Sequence, residues 1–235
     1  MKVVQWIKRI VFYLIGLFII GLGVNVSLKS DLGVSTNNAL PLVISKKLPF
    51  LSLGNWVTVV FCAFVLLQLI LLLKDFKWYY VFQVVASLFF GLFVDLGEIV
   101  LAFLPSPELY ILRILYSLIA VLLIALGIMI YLECEVMSLP AEGVAVALSK
   151  KTKLSVPTCK LIFDVFSTLL AVVCSLIFFG AVVGVREGTV MIAIGVGPVM
   201  KLLSKVLKKP IRLFLYGNEQ KEKEIVQEEQ ITSEE

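Results

Sequence analysis

Lys160 and Asp164 stand four residues apart inside an apolar run that covers residues 157–180. On a helix that spacing puts both side chains on one face. A charge near the centre of a bilayer costs about 2.5–3.5 kcal/mol on insertion scales, so such a pair is expected to face protein or a cavity. There it can act as an ion-pair switch, or hold a zwitterionic or anionic solute. The plainer alternative is that Lys160 snorkels to the nearby interface and Asp164 merely pairs with it.

Two short polar-studded segments offer a second source of chemistry. One carries Ser35, Thr36, Asn37 and Asn38, and the other Ser138 and Glu142. Ser35 or Ser138 is expected to cap a short helix whose first N–H groups then point at an anionic group. A solvated loop touching headgroups is the competing reading. Asp95 and Glu98 lie one turn apart at the end of a third apolar run, with Gln83 three turns earlier. Asp95, Gln83 and Thr189 are candidates for a solute pathway, against a solvated rim. The substrate-binding set is therefore Ser35, Asn37, Asn38, Ser138, Glu142, Lys160 and Asp164.

Other chemistries fall away. The chain has no histidine, which removes the commonest general base and metal ligand. Its four cysteines, Cys62, Cys134, Cys159 and Cys174, lack metal-ligand spacing and read as small packing residues. No nucleotide-cradling glycine motif is present. We expect no enzyme, no cofactor, no metal and no nucleic-acid partner.

The elements that must position these residues belong to a membrane. The chain is 60% hydrophobic and 16% charged, with a mean hydropathy of +1.02. A soluble domain has about 45–50% apolar and about 25% charged residues. Six apolar runs, near 10–28, 55–73, 78–97, 110–132, 157–180 and 188–207, are long enough to cross a hydrocarbon core of about 30 Å as helices. Trp6, Trp56, Trp78, Tyr110 and Tyr216 fit as headgroup-level anchors at their ends. Lys2, Lys8 and Arg9 precede the first run, and Lys201, Lys205, Lys208, Lys209 and Arg212 gather at the last. By the positive-inside rule both termini are expected in the cytoplasm, in a bacterial cytoplasmic membrane.

The chain also repeats itself. Arg9-Ile10 returns as Arg113-Ile114 and Leu22-Gly23 as Leu126-Gly127, both 104 positions later. Ser45-Lys46-Lys47 returns as Ser149-Lys150-Lys151. Residues 1–108 form a first membrane repeat and 109–217 a second. Residues 218–235 hold seven Glu and two Lys with no aromatic residue, and are expected to be a disordered acidic tail. Between each first and second long run lies a short segment of about fourteen residues, roughly 21 Å at 1.5 Å per residue. If the short segments re-enter, each repeat has three spans and the halves are inverted; if they cross, each has four and the halves are parallel. Length and polarity favour re-entry. The expected fold is all-α: a polytopic helical membrane protein of two three-span inverted repeats, each with a short re-entrant helix.

The repeats have diverged where chemistry is suspected. Val57 and Phe61 match Lys160 and Asp164, and Asp95 matches Lys201 when Gly91 is set against Gly197. Gly195-Val-Gly-Pro198 reads as a kink or an unwound point in the last run.

Several stretches resemble the YczE/YyaS/YitT group of bacterial integral membrane proteins. They are Asp31-Leu-Gly-Val-Ser35, Met137-Ser-Leu-Pro-Ala-Glu-Gly143 with Ser149-Lys-Lys-Thr152, Lys160-Leu-Ile-Phe-Asp164, and Gly188-Thr189 with Gly195-Val-Gly-Pro198. The likeness covers nearly all of residues 5–207. It implies a small polytopic bacterial membrane protein, often suspected of transport, without supplying a substrate. In the first short segment, Ser35-Thr36-Asn37-Asn38 replaces the Pro followed by an aromatic or acidic residue found in many of that group.

The leading expectation is a small-solute transporter with a polar site between the repeats. The alternative is a non-transporting membrane assembly or regulatory subunit with a dry centre. A lipid-acting enzyme is the weakest. The expected partners are the lipid bilayer, a small polar or charged solute, and a second copy in a homodimer.

Overall fold

A computed structural model describes residues 2–217; the acidic tail lies outside the described residues. The elements are α1 (Lys2–Ser30), α2 (Thr36–Lys47), α3 (Leu53–Leu72), α4 (Gln83–Val100), α5 (Tyr110–Glu133), α6 (Pro140–Thr152), α7 (Val156–Phe179) and α8 (Glu187–Tyr216). Two 3₁₀ turns, Leu73–Asp75 and Trp78–Phe82, join α3 to α4. No strand occurs among the described residues. Among the described residues six helices are long and apolar enough to cross a membrane, and they coincide with the six expected runs. The protein is an all-helical, multi-pass membrane protein. Helices α2 and α6 have only 12 and 13 residues and fall short of that length.

Local sequence sets the helix ends. Ser52 accepts a hydrogen bond from Asn55 N–H and starts α3; Ser155 does the same for Thr158 N–H and starts α7. Gly180 stops α7 in the left-handed region, at φ 67°, where a side chain would be strained. Ser35 occupies the cap position of α2 but makes no cap bond through its side chain. Leu139, not Ser138, precedes α6, with Pro140 in its first turn. The expected serine caps therefore do not form. Helix α8 is continuous through Gly195–Pro198, so the unwound point is absent.

Helices α1 and α5 lie at the centre and pack closely along their length. A Cβ added to Gly16 would sit 2.9 Å from the Gly127 carbonyl oxygen, and one on Gly127 2.6 Å from that of Gly16. Small residues here let two backbones touch, which is how helices associate in lipid. The charges at their ends fix the direction. Arg9, early in α1, donates to the carbonyls of Cys134 and Glu135 just past the end of α5, both at 2.7 Å. Arg113, early in α5, pairs at 2.9 Å with Asp31 just past the end of α1. The two helices therefore run antiparallel.

The remaining helices pack in matched sets around this pair. Helix α4 rests on α1 as α8 rests on α5. Helix α2 packs on α3 and reaches across to α7, while α6 packs on α7 and reaches across to α3. One match is missing. Helices α3 and α4 form an extensive interface, whereas α7 and α8 share no comparable one. Gly54 and Gly91 bring α3 and α4 together so tightly that a Cβ on Gly91 would stand 2.3 Å from the Gly54 oxygen. Asp95 ties the ends, accepting from Gly54 N–H at 2.7 Å and Ser52 hydroxyl at 2.5 Å. On α7 Pro157 has no N–H to donate, and on α8 the Lys201 side chain has no oxygen to accept with. No such clamp joins α7 to α8 among the described residues.

Candidate functional site

The space left between α7 and α8 continues inward as a cavity of about 500 Å³. Its walls come from helices in both halves of the chain. Helix α2 supplies Asn37 and Asn38, α6 supplies Glu142, α7 supplies Lys160 and Asp164, and α8 supplies Ala193, Val196 and Gly197. Phe61 and Phe90 lie on the inner wall with their rings stacked at 5.5 Å between centroids. Much of the remaining lining is aliphatic, including Ile124, Ile128 and Val196.

Lys160 and Asp164 form the centre of the polar part. The Lys160 ammonium donates to both Asp164 oxygens, at 2.6 and 2.8 Å. Their side chains are 30% and 21% exposed, so the pair is only partly screened. The Asn37 amide, with its nitrogen turned toward Asp164, donates to Asp164 Oδ1 at 3.1 Å and accepts from Lys160 at 3.3 Å. A residue of α2 thus completes an ion pair carried by α7.

Two acceptors remain without partners. Asn38 is 4% exposed; its amide nitrogen donates to the Ser35 hydroxyl at 2.7 Å, but its Oδ1 is buried and unpaired. Glu142 Oε2 is likewise buried and unpaired. Burial pushes the Glu142 carboxyl above the usual carboxylate range, while the Lys160 charge draws it back down. The Tyr13 and Tyr131 hydroxyls are also buried without partners. Their rings meet edge to face at 5.9 Å on α1 and α5, behind the cavity.

Six of the seven residues expected to bind substrate line this one cavity: Ser35, Asn37, Asn38, Glu142, Lys160 and Asp164. Ser138 does not. It borders a separate cleft of about 330 Å³ that also includes Tyr79, Tyr131 and Glu135. The three residues expected on a pathway are elsewhere too. Asp95 holds the start of α3. Gln83 is fully buried and accepts from Gln68 at 2.8 Å, and it donates to the Ser138 hydroxyl at 3.4 Å. Thr189 is 2% exposed and accepts from Arg186 N–H, closing the first turn of α8. Each of these three satisfies a helix end or a buried amide. Glu98 is exposed.

The sequence reading missed Gln68. Its amide donates to Gln83 and to the Pro140 carbonyl at 3.1 Å, fastening the start of α6 to α3 and α4. A lone amide in an otherwise apolar span was the available signal, since such a group must find partners inside the bundle. Asn25 works similarly between α1 and α4, donating to the Val94 carbonyl at 2.7 Å. No group of three His, Cys, Asp or Glu side chains suited to a metal occurs among the described residues. Cys134, just past α5, has its thiol pushed up to about 12 by burial, with Arg9 drawing it down and Glu133 adding to the rise. A thiol so held is unreactive at neutral pH.

A model of DUF6198, a family of unknown function, matches residues 7–205, and the chain belongs to that family. No curated protein and no solved structure matches the chain.

Proposed function

We propose that this protein is a small-solute permease whose binding site is the cavity between α7 and α8. One observation carries the reading. The two short helices, one from each repeat, bring polar side chains to the same enclosed space at the level of the spanning helices. Polar groups in a bundle surrounded by hydrocarbon persist only where protein, water or solute satisfies them. A dry assembly subunit has no need of such a space.

The antiparallel run of α1 against α5 supports inverted repeats, with α2 and α6 re-entering rather than crossing. Inverted repeats with a site at their junction suit alternating access. In this reading α1–α4 are one half and α5–α8 the other, and both termini lie in the cytoplasm of a bacterial cell. The likeness to the YczE/YyaS/YitT group belongs to the same proposal. The protein acts on its solute by binding and release, with no covalent step.

The test is to fill the cavity without disturbing the packing around it. Gly197 lines the cavity, and a Cβ built there meets nothing within 4 Å. Gly197→Trp should fold as the parent and abolish the difference in uptake and export profile between a strain expressing the chain and one lacking it. A folded Gly197→Trp protein that keeps the parent's profile overturns the proposal.

A further inference from the structure

The cavity's unmet hydrogen bonds describe the solute it would take. Lys160 is spent on both Asp164 oxygens, and Asn37 is spent on the pair. Of the side chains that line the cavity, those left buried and unsatisfied are Asn38 at Oδ1 and Glu142 at Oε2. Both are acceptors, one from each short helix. An unpaired buried acceptor costs about 1–3 kcal/mol, so the site is completed by a donor rather than by another acceptor.

Charge points the same way. Glu142, Lys160 and Asp164 are the charged residues lining the cavity, and together they carry one net negative charge when ionised. A bound cation would neutralise it. The groups facing Glu142 are Lys160 and Asp164 from α7, Tyr131 from α5 and Tyr13 from α1. Lys160 alone is cationic among them, and Asp164 already holds it.

The shape of the lining adds the other half. Away from the polar cluster the wall is aromatic and aliphatic, with Phe61 and Phe90 at the back and Val156 and Val196 toward the α7–α8 gap. That gap is bordered by spanning helices and not sealed by any counterpart of the Gly54–Gly91 contact. A solute with an apolar body is thus matched along its length.

We propose that the site binds an amphipathic amine: an ammonium with free N–H groups held by Glu142 and Asn38, and an apolar body against Phe61 and Phe90. This rests on the permease reading for its biological use, but the binding itself is separately testable. An acidic or zwitterionic solute fits less well, because a carboxylate placed here meets two unpaired acceptors and adds to the net negative charge of the lining.

The experiment uses the full chain in lipid nanodiscs, with empty nanodiscs subtracted. The probes are 4-phenylbutylamine, 4-phenylbutyrate and the N-trimethylated amine, titrated by calorimetry. The amine should bind at least tenfold more tightly than the acid, and trimethylation should weaken it severalfold by removing the N–H donors. Glu142→Gln should weaken the amine tenfold or more, and Asn38→Leu severalfold. Gly197→Trp, which leaves the acceptors in place, should also abolish amine binding by filling the space. Equal binding of acid and amine, or amine binding unchanged in Glu142→Gln and Gly197→Trp alike, overturns the assignment. If the amine fails to bind while Gly197→Trp still abolishes the transport profile, the amine assignment falls and the permease reading stands. If the amine binds but no transport profile depends on the cavity, the reverse holds.

Discussion

Removing Lys160 and Asp164 singly and together tests whether the pair is an interior contact. Each single change strands a partner. Breaking a fully buried pair by removing one side costs about 3–5 kcal/mol, and an exposed pair contributes about 1 kcal/mol or less. At 30% and 21% exposure the pair sits between these limits, so about 2 kcal/mol is expected for a single loss. The two losses are not equal. Without Lys160, Asp164 and Glu142 are left as like charges across the cavity. Without Asp164, Lys160 still faces Glu142. Lys160→Met should therefore cost more than Asp164→Leu. The double variant removes both charges together and should lie closer to the parent than either single. For a chain of this size about 1 kcal/mol moves the unfolding midpoint by about 2–4 °C. Each single should lower it by about 4–8 °C, and the double by no more than the smaller single. The assay is thermal unfolding of the detergent-solubilised full chain, followed by tryptophan fluorescence. The coupling energy from this cycle should be about 2 kcal/mol. Additive losses, or singles that unfold with the parent, would falsify the argument that this pair is held in a low-dielectric cavity.

Two further outcomes follow from the packing. Gly91→Leu should drive α3 from α4, because its Cβ alone would stand 2.3 Å from both the Gly54 oxygen and the Thr58 hydroxyl. A midpoint loss of about 10 °C or failure to express is expected, whereas Gly197→Leu on α8, where a Cβ meets nothing within 4 Å, should unfold near the parent; equal losses would contradict the difference between the α3–α4 and α7–α8 contacts. Cysteines placed singly at Lys46 and Lys150, in a background with Cys62, Cys134, Cys159 and Cys174 replaced by Ala, should react with an impermeant thiol reagent from opposite sides of the membrane. Reaction from one side only would mean four crossings per repeat and parallel halves.

Much of the scaffold was legible in the chain because hydrocarbon imposes a length. Six apolar runs of about twenty residues cannot avoid being helices at membrane depth, since their backbone groups have no other partner. The recurrence of Arg9 as Arg113 was legible too, and each arginine meets the far end of the other central helix, Arg9 at the Cys134 and Glu135 carbonyls and Arg113 at Asp31. Spacing placed Lys160 and Asp164 on one face, and polarity within short segments marked Ser35, Asn37, Asn38 and Glu142. What the chain could not express is which polar residues share a space. Asp95, Gln83, Ser138 and Thr189 have the same composition signature as the cavity residues, yet tertiary contacts assign the first to a helix end, the next two to an amide network around Gln68, and the last to the first turn of α8. Which helices part to leave a cavity was also decided in three dimensions. Gly54 with Asp95 closes α3 on α4, and no such clamp joins α7 to α8 among the described residues. A single N–H and a single carboxylate matter between α3 and α4 because a backbone amide at membrane depth needs an acceptor, and only the packed bundle brings Gly54 and Asp95 together.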